Sequence, residues 1–247
     1  MNTVLPRLDT LPPAQRLLWP QLSAIGPGFV LYGGTALSLQ VGGRTSVDFD
    51  FFTTEELDHD RLAKQLPFLQ GAGLQHRAGD TATFVIGSGR DGVAISFFGA
   101  LRFGRVSEPV CFADNGLFAD GLLDLAAQKM KVIQQRAEAK DYLDIHKLLS
   151  EGVTLEMSLG AAKALFPEFN PAISLKALSY YGGVSRLPQD IQRDLRAAAS
   201  RVRDFAKIPK LKPSLLPSLG SITRSPEISD SSMWSRRKTL DGPDLEI

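Results

Sequence analysis

The segment YGGTALSLQVGGRTSVDFDFFT, residues 32–53, restricts the fold more than any other part of the chain. An apolar run at 29–32 leads into Gly33-Gly34, and Asp48-Phe49-Asp50 follows after thirteen intervening residues. Residues 35–41 have helical spacing, with Leu37 and Val41 four apart and Ala36 and Leu39 three apart. Residues 47–51 alternate strictly. As a strand they turn Asp48 and Asp50 to one face and Val47, Phe49 and Phe51 to the other. The order is therefore strand, diglycine turn, helix, strand. Two carboxylates on one strand face repel each other, so a cation or a proton has to accompany them.

That arrangement suits a hard divalent cation. A pair of Asp oxygens can hold Mg²⁺, which keeps several waters and takes further ligands from substrate phosphates. The diglycine turn opens a helix, where backbone N–H groups and the helix dipole attract phosphate, and glycine lets the backbone approach a ligand closely. Thr35 adds a hydroxyl, either as a further donor or as a helix N-cap. Read this way, Gly33, Gly34 and Thr35 form a phosphate cradle beside a metal site at Asp48 and Asp50. The alternative is an ordinary strand–helix turn followed by an edge strand with a wet face.

The rest of the chain is consistent with a water-facing globular protein with a sizeable core. Its 247 residues are 43% hydrophobic and 22% charged, with a net charge of +1. No apolar run approaches the roughly 18 residues of a membrane helix, and the N-terminus lacks the apolar stretch of a signal peptide. The single Cys111 excludes an internal disulfide and fits a reducing cytoplasm. His59, His76 and His146 lack metal-ligand spacing, which argues against zinc.

The pattern predicts an α+β chain. A mixed sheet with a few helices occupies the first part, with strands at 29–32, 47–52, 74–77, 81–86, 93–98 and 109–112, and a helix at 55–66 capped by Thr53 or Thr54. A helical half follows, with a break expected near 136–139 in the long helical pattern over 122–150. We expect a core domain at 1–115, a helical domain at 116–212 that completes the site, and a disordered Ser- and Pro-rich tail at 213–247. Arg193, Arg196, Arg201, Arg203, Lys207, Lys210 and Lys212 make a basic stretch near its end. Such a stretch can meet a phosphate backbone or be a solvated helix face.

A second polar cluster lies in QKMKVIQQRAEAKDYLDI: Lys129, Arg136, Lys140, Asp141 and Asp144. On one continuous helix the three cations would share a narrow arc, and Asp141 and Asp144 would be neighbours. Such a row can grip phosphates and carry a proton or metal contact. It can equally be a surface helix with intrahelical ion pairs.

Tyr32-Gly33-Gly34 and Asp48-Phe49-Asp50-Phe51 at this spacing resemble the signature of the nucleotidyltransferase superfamily. The wording GGTAL…R-S-x-D-x-D-F-F resembles more narrowly the AbiEii-type toxins of bacterial toxin–antitoxin and phage-defence systems. Lys129, Arg136, Lys140, Asp141 and Asp144 match the order of a later family segment, and the resemblance spans about residues 29–206. It implies that Lys129 contacts nucleotide phosphate and that Asp141 is an active-site carboxylate. It implies, further, transfer of a nucleotide from an NTP to an acceptor with Mg²⁺, the acceptor being RNA such as the 3′ end of tRNA or a protein side chain, and a cognate antitoxin as partner. Two departures stand out. The strand at 92–98 offers Ala94 and Ser96 where many relatives place a third carboxylate. Lys176 and Tyr180-Tyr181 match a further motif, but Gly182 and Gly183 stand where it has an acidic residue. A catalytically impaired nucleotide- or protein-binding module is therefore the competing expectation, and a purely structural helical platform is a third.

Overall fold

A computed structural model describes residues 2–204 and 208–217, apart from the side chain of Arg90. Apolar alternation and helical spacing sort into two layers and a helical annex. The strands are β1 (Asn2–Val4), β2 (Val30–Tyr32), β3 (Asp48–Phe52), β4 (Gly73–Ala78), β5 (Thr81–Ile86), β6 (Val93–Phe98), β7 (Val110–Phe112) and β8 (Phe118–Ala119). They form one mixed sheet in the order β1-β7-β8-β2-β3-β6-β5-β4. β3 lies in its middle, antiparallel to β2 and parallel to β6. The helices are α1 (Pro13–Leu18), α2 (Gly33–Val41), α3 (His59–Gln65), α4 (Leu122–Val132), α5 (Ala139–Ser150), α6 (Leu155–Leu165), α7 (Pro171–Ala177) and α8 (Gln189–Arg201).

One sheet face is the main core. Phe49 and Phe51 of β3 are fully buried there with Ile95 and Phe97 of β6, beneath Trp19, Leu22 and the apolar side of α2. Aromatic rings fill this layer, with Trp19 over Phe49 and Phe51 over Phe97. The side chains of Asp48 and Asp50 therefore take the opposite face, as the alternation requires. A second core joins α4 to α8 around Met130, Tyr142, Leu159, Phe169 and Leu195. Helix α4 belongs to both: Leu125 and Ala126 face the sheet core, and Ala127 and Met130 face the helical one. This helix fixes the helical half against the sheet.

Three expectations change. Val47 lies outside β3 and is 59% exposed, so the alternating strand begins only at Asp48. The helix expected at 55–66 starts at His59, because Asp58 accepts the Arg61 N–H as its cap. Thr53 is instead engaged in extending the sheet, donating its backbone N–H to Phe98. The tail expectation fails at its start. Arg105 and Lys212 exchange backbone hydrogen bonds, and Leu215 is buried against Val30, Tyr32 and Phe118. The remainder of that expected tail, 218–247, lies outside the described residues, as does Lys207 of the basic stretch. The break expected near 136–139 is present: helix α4 ends at Val132 and α5 begins at Ala139, with Arg136 in the connection, so Lys129, Arg136 and Lys140 do not share one helix.

Candidate active site

The site forms where β2 gives way to α2 beside β3. Tyr32 pairs with Asp50 in the antiparallel register, so the diglycine bend begins at the level of the second carboxylate. Gly33 has φ of +75°, a backbone conformation that disfavours side chains, and a methyl there would lie 3.1 Å from Asp50 Oδ2. No side chain caps α2. Its first-turn N–H groups, which no helical carbonyl can reach, thus open beside that carboxylate. Thr35 is placed differently from expectation. It is buried, and its hydroxyl donates to the Asp48 backbone carbonyl. That bond ties α2 to β3 and leaves neither an N-cap nor an open phosphate donor on the Thr35 side chain.

Asp48 is exposed and Asp50 is half-buried. Burial, and then the like charge of Asp48, push the Asp50 carboxyl up to about 6. Lys129, Lys140 and Arg136 pull it down, which places the second sequence cluster within electrostatic reach of the first. The parallel register sets Ala94 beside Asp48 and Ser96 beside Asp50. Ser96 Oγ hydrogen-bonds Thr83 Oγ1 at 3.1 Å. No third carboxylate therefore faces the pair from β6. Among the described residues no group of three or more metal-ligating side chains gathers anywhere.

The cationic side of the site is a chain of ion pairs. Lys129 Nζ lies 2.8 Å from Asp141 Oδ1 and 2.7 Å from Asp144 Oδ2. Arg136 Nε lies 2.8 Å from the other Asp141 oxygen. Asp141 is fully buried. Burial raises its pKa, but the Arg136 and Lys129 bonds outweigh this and hold the carboxyl below its usual range. Lys140 turns outward to Glu138 at 2.8 Å. Sequence reasoning missed Arg44. Its Nε and Nη2 form a bidentate pair with Asp144 at 2.9 and 2.8 Å, and its guanidinium packs on Gly34. Its sequence signal was the arginine of the GGR turn after α2, which stands in the GGTAL…R wording of the family resemblance.

The later motif is split. Tyr181 is buried, with its ring edge-on to Tyr142 and Arg196 5.2 Å above it. Tyr180 is 71% exposed and Lys176 is exposed. Gly183 sits near Ala137, in the connection that carries Arg136. The side chains of Arg193, Arg196, Arg201 and Arg203 are exposed on and after α8.

The model of a family described as nucleotidyl transferase AbiEii toxin, type IV toxin–antitoxin system, matches residues 16–212. The chain belongs to this family. By family it is a nucleotidyltransferase. An uncharacterized protein from Aquifex aeolicus is 30% identical over 182 residues, which cover 72% of this AbiEii-family chain and 84% of the relative. Two solved structures share the fold. One is a nucleotidyltransferase candidate from H. pylori, with a TM-score of 0.51 and 17% identity, covering 76% of this chain and 92% of that one. The other is the nucleotidyltransferase toxin MenT4 from Mycobacterium tuberculosis, with a TM-score of 0.51 and 18% identity, covering 79% and 83%. Among the described residues of the AbiEii-family chain, no helix is long and apolar enough to cross a membrane.

Proposed function

We propose that this protein transfers a nucleoside monophosphate from an NTP to an RNA acceptor, such as the 3′ end of tRNA, as the toxin of a toxin–antitoxin pair working in the cytoplasm. We infer a sheet-based core, which β8 carries past the expected boundary at 115, and a helical unit from α4 onward that completes the site. The observation that carries the reading is the placement of the diglycine bend against Asp50, with the Lys129–Asp141–Arg136 chain of charges close enough to act on that carboxylate.

The donor set fits Mg²⁺. Asp48 and Asp50 offer hard oxygens on one face, and their mutual repulsion favours a shared cation. When bound there, the ion would neutralise phosphate charge and favour in-line displacement. The chain's own residues supply the remainder. Gly33 and Gly34 present backbone N–H groups to the phosphates at the N-terminus of α2. Lys129, oriented by Asp141 and Asp144, stabilises charge developing on the leaving pyrophosphate. Asp50 or Asp141, which two cations hold ionised, accepts the acceptor hydroxyl's proton.

The neutral Ser96 beside Asp50 favours a second reading, a nucleotide-binding module with impaired turnover. One experiment separates the two. Purified protein is incubated with Mg²⁺, each labelled NTP and total bacterial RNA, alongside the Asp48→Ala variant. Label transferred to RNA by wild type and abolished in a folded variant is the expected result. An NTP-dependent thermal shift without transfer supports the module instead.

A further inference from the structure

The arginine after α2 lies against the diglycine bend. Gly42 and Gly43, with φ of +78° and +111°, turn the chain back along the helix. Arg44 consequently reaches the opposite end of α2. A methyl on Gly34 would lie 3.2 Å from Arg44 Cζ and closer still to Nη2. The guanidinium thus rests directly on the second glycine of the bend.

Its hydrogen bonds leave it partly open. Nε and one Nη2 hydrogen go to Asp144, and one Nη1 hydrogen goes to the Thr45 carbonyl. An N–H remains on each terminal nitrogen. The side chain is 22% exposed, whereas Lys129 and Asp144 are 9% and 4% exposed. Lys129 is enclosed between two carboxylates. Arg44, Lys129, Arg136 and Lys140 face Asp141, Asp144 and Glu138, so the cluster carries one positive charge over. Beside Arg44 lies a cavity of about 230 Å³ lined by Gly34, Ser38, Gly43, Asp144 and Lys147.

We propose that Arg44, held in place by Asp144, is a binding residue for the terminal phosphates of the nucleotide, which it grips at the Gly34 end of the bend beside this cavity. The inference rests on the nucleotidyl-transfer reading and names the residue that separates a triphosphate from a monophosphate. The planar fork suits the task because one edge can dock on a carboxylate while other N–H groups meet a phosphate.

The test is calorimetric titration of the full chain with Mg²⁺ and, for each of the four bases, an NTP analogue bridged by methylene between its α and β phosphorus atoms. The matching monophosphates serve as controls. Arg44→Met is expected to weaken the triphosphate analogue ten- to a hundredfold, the range of a lost charged hydrogen bond. It should change monophosphate binding less than threefold. Because Arg44→Met leaves Asp144 with one fewer partner, the double variant Arg44→Met/Asp144→Asn is measured too, and it covers the case in which the single variant fails to fold. Because Asp144 also holds Lys129, Asp144→Asn alone is the reference, and weaker binding by the double variant than by Asp144→Asn supports a phosphate contact. Equal binding by those two, or no loss in Arg44→Met, would overturn the proposal by reducing Arg44 to a counter-ion for Asp144. Wild type that binds none of the four analogues would remove the transferase reading as well, so the two failures are distinguishable.

Discussion

Gly33 and Asp50 touch across the junction of β2 and β3, where a methyl on the glycine would stand 3.1 Å from the carboxylate oxygen Oδ2. The glycine also holds φ at +75°. One position therefore meets two demands: a left-handed backbone, and space for an acid that needs company.

Gly33→Ala should accordingly cost about 1–2 kcal/mol from the left-handed backbone alone. Urea denaturation of the variant tests this, and a loss under about 0.5 kcal/mol would contradict the argument from φ.

Asp50 makes stability depend on pH with a definite sign. Its pKa is raised in the folded state, from 3.8 to about 6. The folded protein then holds this proton more tightly than the unfolded chain does. The stabilisation is complete below about pH 4 and is lost as pH rises through about 6. Without divalent ions, Asp50→Asn should exceed wild type in stability at pH 8 by up to roughly 3 kcal/mol, and the gap should shrink toward pH 4. A gap constant with pH, measured by thermal melting, would refute the assignment.

Lys129→Met takes the shared cation from two buried carboxylates, although Arg136 stays on Asp141 and Arg44 on Asp144. The loss should be about 1.5–3 kcal/mol, the range of a charged hydrogen bond. Arg136→Met should cost under about 1 kcal/mol, since the arginine side chain is 43% exposed and Lys129 still serves Asp141. Denaturant midpoints decide between them. Similar values for the two would place the weight of the network elsewhere.

Leu215 sits 1% exposed against Val30, Tyr32 and Phe118. Leu215→Ala should destabilise by about 2–3 kcal/mol through lost contact and a residual cavity. A change under about 0.5 kcal/mol in the same denaturation assay would show that the segment does not hold the sheet.

Much of the site's first half was legible because period-two alternation is a local signal. Phe49 and Phe51 announce the buried face of β3, and Asp48 and Asp50 follow by geometry. The break between α4 and α5 was legible too, since an unbroken pattern there is too long for an ordinary globular helix. The pairing of Lys129 with Asp141 and Asp144 was not. It depends on how α5 folds back beside α4, and no helical period encodes that angle. Arg44 was hidden for the same reason, its partner Asp144 being a hundred residues away. β1 and β8 have three and two residues, too few for any periodic signal. The hydroxyl of Thr35 reads equally as cap, donor or tether, and only the position of the Asp48 carbonyl chooses.

Leu215 has a consequence for biosynthesis. The layer behind Tyr32, the residue that delivers the chain to the diglycine bend, is completed by a side chain made some 180 residues later. A nascent polypeptide can hold strands, bend and both aspartates and still lack this support. The ribosome therefore finishes the site's scaffold late, and a translation product that stops short of Leu215 inherits the motif without its backing.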